Sequence, residues 1–336
     1  MMPRPLLRQT FGLTYRKIPV LTIGRDIYCD TSLIIEALEY YFPEDAGFGT
    51  VYPRAKSLGG PGDGGKGVDW AYRSLVRGFA SFWVDRPLFR TTTGLIPSTV
   101  WSTAFGADRS GLIGHKLDPE KLGAKIPENL SNLDLHLSLL EPMLKRRGEW
   151  VIPTATPSLA DLSLYYQLRW GVDIAAGKGV YNLTAGGIGE GSVNGNVAEE
   201  VFNKERYPGV WDWFHAFEAY ICTLPDPETV VDGNTLDWKD QLRSTPLLDT
   251  KDGTDILVPT PAGDYPSLDL QRGLQPGVVV SVAPDDTGRD DPTVGELVRI
   301  GVEEVVVRPV EKGEMDVRIH FPRLGFVVRV AEGSRL

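Results

Sequence analysis

The chain has 336 residues, 42% hydrophobic and 24% charged, the composition of a globular protein of two or three domains and not of a disordered one. It contains no run of about 18 apolar residues, so no membrane-spanning helix is expected, and no apolar stretch follows Met1 as a secretion signal requires. The net charge of −10 is uneven: residues 225–336 carry 21 acidic and 12 basic residues, and the remaining 224 carry 24 and 23, which argues against a whole-chain grip on nucleic acid. Two cysteines, Cys29 and Cys222, make no disulfide framework, so a reducing, cytoplasmic compartment is expected.

In chain order, Ile18-Pro19-Val20-Leu21-Thr22-Ile23 and Ile27-Tyr28-Cys29 read as two short strands joined by the turn Gly24-Arg25-Asp26. Asp30, Thr31 or Ser32 caps a following helix with Leu33, Ile34, Ala37 and Leu38 on one face, ended by Phe42-Pro43. Residues 46–67 are crowded with glycine and read as a linker; no Gly-Lys-Ser/Thr follows, so a phosphate loop is not indicated. Val68, Tyr72, Leu75, Phe79 and Phe82 recur at helical spacing and predict one buried face. Leu133, Leu137, Leu140 and Leu144 do the same, although Leu133, Leu135, Leu137 and Leu139 also alternate as in a strand; segment length favours the helix. Ser158-Leu159-Ala160-Asp161 is a capping box opening a helix through Leu168. The stretch 171–196 holds eight glycines and reads as an inserted loop, and Pro208 opens a helix carrying Val210, Phe214, Phe217 and Ile221. Residues 225–266 read as irregular. Strands are then expected at 277–282, 305–310, 317–321 and 325–330, a small antiparallel sheet or barrel.

Strand with proline, turn, strand, acid-hydroxyl and helix, followed by an all-helical segment, resembles the cytosolic glutathione transferase superfamily. It resembles especially the glutathione-transferase-like proteins of filamentous fungi. The residues that carry it are Tyr15-Arg16-Lys17-Ile18-Pro19-Val20-Leu21, Tyr28-Cys29-Asp30-Thr31-Ser32-Leu33-Ile34-Ile35 and Ser158-Leu159-Ala160-Asp161. The resemblance covers roughly residues 10–222 and leaves the tail without a counterpart in ordinary members. It implies an α+β fold in four parts: a partial thioredoxin-like domain (1–45), a linker (46–67), a helical transferase domain (68–224) and an acidic, β-rich extension (225–336).

The resemblance also implies glutathione as cosubstrate. Pro19 would be the family's cis-proline, Ile18 would pair its backbone with the cysteinyl part, and Asp30 and Thr31 would take the γ-glutamyl amine and carboxylate. Trp70 and Arg73, off the predicted stripe, are candidates to face a small apolar electrophile. A homodimer is likewise implied by the family.

The strand-helix-strand that carries the family's catalytic Tyr, Ser or Cys has no counterpart before residue 14, so no catalytic residue is assigned. The chain is expected either to start at an internal methionine of a longer protein or to be a shortened relative. It should then be less stable than an intact relative, or cover the open sheet edge with its tail. A glutathione-dependent transferase or isomerase is the first functional expectation; a catalytically inactive interaction or regulatory protein is the alternative. Cys29 is read as a small apolar filler or, less readily, a mixed-disulfide partner of glutathione. His115, His136, His215 and His320 have no metal-ligand spacing, and no metal is expected. Asp285-Asp286 and Asp290-Asp291 near Gly288 read as an acidic turn.

Overall fold

Gly24, at φ 58°, opens a two-residue turn of the glycine-first kind that suits the twist of a hairpin. It joins β1 (Val20–Ile23) to β2 (Asp26–Cys29), paired antiparallel with Val20 opposite Cys29 and Ile23 opposite Asp26. Asp30 caps helix α2 (Thr31–Tyr41), which buries Leu33, Ile34 and Ala37 and stops at Phe42, the residue before Pro43. These elements lie where the sequence places them. Helix α1 (Pro5–Phe11) was not expected; it opens on a proline and closes on Gly12 at φ 68°, the start and stop pattern of a short helix.

The computed structural model describes residues 4–55, 69–145, 150–189, 195–225, 238–247 and 256–331. By its contacts the chain divides into two units, Met1–Phe48 with Glu228–Leu336, and Gly49–Pro227.

In the first unit the extension forms β3 (Val279–Pro284), β4 (Thr293–Ile300), β5 (Glu304–Pro309), β6 (Arg318–Pro322) and β7 (Phe326–Val330). β3 to β6 make an antiparallel meander, and β7 returns to pair with β3. Strand β4 was not expected, because Gly295, Glu296 and Arg299 break its apolar run. Gly295 is needed there: a Cβ would sit 2.7 Å from the Arg308 carbonyl oxygen on β5.

β6 also pairs with β2, in parallel, with Asp26 opposite Arg318, Ile27 opposite Ile319 and Tyr28 opposite His320. One seven-stranded sheet results, in the order β1-β2-β6-β5-β4-β3-β7. Segments 1–45 and 225–336, set apart in the sequence reading, therefore share a sheet. They also share a core in which Phe11, Leu13, Tyr15, Ile27 and Cys29 pack with Leu297, Val305, Ile319 and Phe321. The tail covers the free edge of β2; no described strand pairs with the other edge of β1. Helix Trp238–Ser244 lies inside the stretch read as irregular, with Trp238 against Phe11. Residues 226–237 and 248–255 of that stretch lie outside the described residues.

The second unit is helical. Asp161 anchors it: its buried carboxylate completes the capping box with Ser158 and accepts from Val151 N–H at 2.7 Å and Trp213 Nε1 at 3.0 Å. Helix Ile126–Leu144 buries Leu133, Leu137, Leu140 and Leu144 and exposes Leu135 and Leu139, which settles helix over strand.

The stripe from Val68 to Phe82 is corrected. Leu75 and Phe82 are more than half exposed, and the buried residues are Tyr72, Val76, Val84 and Leu88. Leu75 lies beside the face that Tyr72 and Val76 bury in helix Trp70–Gly78; for Phe82 the cause is the π-helical stretch Phe79–Leu88, whose wider turns rotate the faces that a 3.6-residue period assumes. The glycine-rich stretch 171–196 is not all loop. Its first residues continue helix Leu159–Ala175, and a short helix, Val180–Leu183, buries Val180 with Ile96, Val100, Phe105 and Ile174. Residues 190–194, and 56–67 of the expected linker, lie outside the described residues.

Candidate functional site

The hairpin register builds the site. Because Val20 pairs with Cys29, the residues just beyond each, Pro19 and Asp30, flank the same end of the hairpin. The Ile18–Pro19 peptide bond is cis, and Ile18 is 60% exposed. Across the hairpin end, Asp30 adopts φ 72° and ψ 135°, a region that is almost wholly glycine's. Three donors hold it there: Ser32 N–H at 3.1 Å and Ser32 Oγ at 2.7 Å on Oδ1, and Tyr15 OH at 3.3 Å on Oδ2. Thr31, the first residue of α2, is exposed. Ile18, Pro19, Asp30 and Thr31 are thus brought together, with the positive end of a helix among them.

The groups nearest this end are not poised as nucleophiles. Cys29 is fully buried, and burial pushes its thiol well above its usual range; it is a core filler, and the mixed-disulfide alternative loses its support. Burial, then the nearby Asp30, raises the Tyr15 phenol as well, so its proton stays on the hydroxyl that Asp30 holds.

Trp70 and Arg73 lie in the helical unit. There the Arg73 guanidinium sits 4.2 Å from the centroid of the Tyr52 ring and 5.5 Å from that of Trp70, within the range of cation–π attraction. Asp69 caps this helix through Tyr72 N–H at 3.1 Å.

A second polar group was not found from sequence. Side chains alternate along a strand, so Ile27 and Cys29 face one core while Asp26 and Tyr28 face the other side, toward α2. On β6, Arg318 and His320 share that side, as does Glu304 on β5. Arg318 donates to both Asp26 oxygens, at 2.6 and 2.8 Å. His320 bonds Asp26 through Nε2 at 2.8 Å and Glu304 through Nδ1 at 2.6 Å. The second Glu304 oxygen accepts from Val258 N–H at 2.7 Å. All four side chains are at least nine-tenths buried.

Burial pushes the imidazole pKa down, but the bonds to Asp26 and Glu304 outweigh it and the net shift is upward. For Asp26, burial pushes up and the bonds from His320 and Arg318 win, giving a lowered value. Both imidazole nitrogens and both Asp26 oxygens are thus engaged within the group, which makes it a tie between strands rather than an acid–base catalyst. The one sequence signal was polar residues at alternate positions, Arg318 and His320, inside an apolar strand.

Asp285 and Asp286 lie in a turn where Lys17 reaches Asp286 at 2.8 Å. Among the described residues, no group of three His, Cys, Asp or Glu side chains is placed to hold a metal ion, and no helix is long and apolar enough to cross a membrane.

Comparisons with known proteins bear on the fold. The family model for a domain of unknown function (DUF7962) matches residues 92–181. No curated protein sequence matches the chain. Among solved structures, a GST-like protein from Pseudomonas syringae is similar at 23% identity and a TM-score of 0.53, over 98% of this chain and 87% of that one. The β-etherase LigF from Sphingobium sp. strain SYK-6 is more distant, at 16% identity and a TM-score of 0.35, over 57% of this chain and 70% of that one. The first likeness shows a glutathione-transferase-like fold. It covers nearly the whole chain and so reaches into the extension.

Proposed function

We propose that the chain binds glutathione at the open end of the β1–β2 hairpin and serves its conjugation to, or the isomerisation of, a small apolar electrophile. Ile18 pairs its backbone with the cysteinyl unit beside Pro19, and Asp30 and Thr31 take the γ-glutamyl amine and carboxylate. The observation that carries this reading is the backbone of Asp30. A non-glycine residue at φ 72° costs on the order of 1–3 kcal/mol, and such positions cluster at ligand clamps. In this reading Trp70 and Arg73 border the electrophile site, the protein works as a homodimer, and its compartment is cytoplasmic.

The second reading is a catalytically inactive interaction or regulatory protein. It is favoured by the thiol of Cys29 and the phenol of Tyr15, both held protonated and engaged or buried.

The test is a thermal-shift titration of the full chain with reduced glutathione, beside an Asp30→Ala, Thr31→Ala variant. A rise in Tm that the variant loses supports the hairpin site. No rise at millimolar glutathione removes the binding claim. Binding without turnover of a panel of apolar electrophiles selects the second reading.

A further inference from the structure

Asp26 and Asp30, at the two ends of β2, are held by different kinds of donor. Asp26 takes the Arg318 guanidinium on both oxygens and His320 on one. The donors on Asp30 are neutral: Ser32 N–H and Ser32 Oγ on Oδ1, and Tyr15 OH on Oδ2. Neutral donors orient a carboxylate without cancelling its charge, so Asp30 keeps an anion's attraction for a cation brought by a ligand. Its two oxygens also differ. A carboxylate oxygen offers about two acceptor sites; both are filled on Oδ1, and Tyr15 takes one on Oδ2. Asp30 is partly exposed.

Tyr15 is 5% exposed, and the extension fixes its ring. Phe321 of β6 lies edge-on with its centroid 6.3 Å away, Phe326 of β7 lies at 5.6 Å, and these two rings also pack on each other. A ring packed among two others has little rotamer freedom, so its hydroxyl is aimed before any ligand arrives.

We infer that Tyr15 is a positioning residue for recognition of the ligand's amine, holding Asp30 Oδ2 where the γ-glutamyl ammonium donates to it. This rests on the reading of the hairpin end as a glutathione site. The ammonium takes the second acceptor site of Oδ2, beside the Tyr15 hydroxyl. Without that hydroxyl the Oδ2 arm loses its tether, while Ser32 still holds Oδ1 and with it the cap of α2. The loss therefore falls on the amine and spares the rest of the ligand.

The test is calorimetric titration of the full chain and of Tyr15→Phe with reduced glutathione and with glutaryl-L-cysteinylglycine, which lacks only the α-amine. Tyr15→Phe keeps the ring and removes the donor. The unaltered chain should prefer glutathione by at least about tenfold, the scale of one hydrogen bond between charged groups. In Tyr15→Phe that preference should fall about fivefold, with the affinity for the analogue unchanged within about twofold. The preference is a ratio measured within one chain, so a general loss of stability cancels from it. An unchanged preference in Tyr15→Phe overturns the inference and leaves the glutathione site standing. An equal loss of affinity for both ligands also overturns it, since the hydroxyl is then merely structural. No binding of either ligand by the unaltered chain, or no preference between them there, removes the reading of the site and the inference with it.

Discussion

Arg318 clasps Asp26 with two parallel hydrogen bonds, and the two residues are also register partners across the parallel seam between β2 and β6. Backbone pairing and a buried ion pair thus enforce one alignment. A slip of one residue would turn Arg318 and His320 into the apolar core and Ile319 out of it. Arg318→Met leaves Asp26 buried with one cation fewer, and truncating one partner of such a pair costs about 3–5 kcal/mol. Urea unfolding should show that loss. Asp26→Asn combined with Arg318→Met should cost less than the sum of the two by roughly 0.5–3 kcal/mol; strict additivity would show the pair is not coupled.

The same group sets a pH dependence with two limbs. His320 is raised in the folded state, so its contribution is complete below its unfolded value of about 6.5 and is lost as pH rises through the folded value. Asp26 is lowered, so its contribution is complete above about 3.9 and is lost as pH falls through the folded value. Urea midpoints measured across pH should therefore fall on the alkaline side, and His320→Asn should flatten that limb while lowering the whole curve. An unchanged alkaline slope in the variant would assign the limb to other groups.

Asp30 combines a cap with an unfavourable φ, and substitutions separate the two. Glycine tolerates φ 72° and costs only a few tenths of a kcal/mol as a cap, whereas alanine loses the cap and keeps the strain. Asp30→Ala should be about 1 kcal/mol or more less stable than Asp30→Gly. Exposed Thr31→Ala should stay within about 0.5 kcal/mol of the unaltered chain, so its effect on glutathione binding is read without a stability correction.

The thiols should behave oppositely. Cys222 is exposed and Cys29 is buried with a raised pKa. An aromatic disulfide reagent should consume one thiol quickly in the native chain and the second only on unfolding, and Cys222→Ser should remove the fast phase.

Local chemistry made part of this legible. The Gly24 turn, the Asp30 cap, the Ser158–Asp161 box and the leucines of Ile126–Leu144 each announce themselves within a few residues. What was missed is non-local or breaks a period. β4 hides behind Gly295, Glu296 and Arg299. The π-helical stretch Phe79–Leu88 shifts the face that places Phe82 in a core. His320 reads as isolated because its partners, Asp26 and Glu304, come from other strands, and nothing local marks Val317–Phe321 as the parallel neighbour of a hairpin near the opposite end of the sequence. At the candidate site, the placing of Pro19 and Asp30 at one end of the hairpin was legible; the occupation of Asp30 by Ser32 and Tyr15 was not.

The seam also sets a timetable for synthesis. Asp26 and Arg318 are 292 residues apart in sequence. At roughly 5–20 residues per second, β2 emerges from the ribosome on the order of 15–60 s before its neighbour exists. The helical unit, encoded in that interval, is free to fold first. Meanwhile Asp26 waits in water without its guanidinium, and the unpaired backbone edge of β2 stays open to any passing strand. That exposure ends only when β6 clears the exit tunnel.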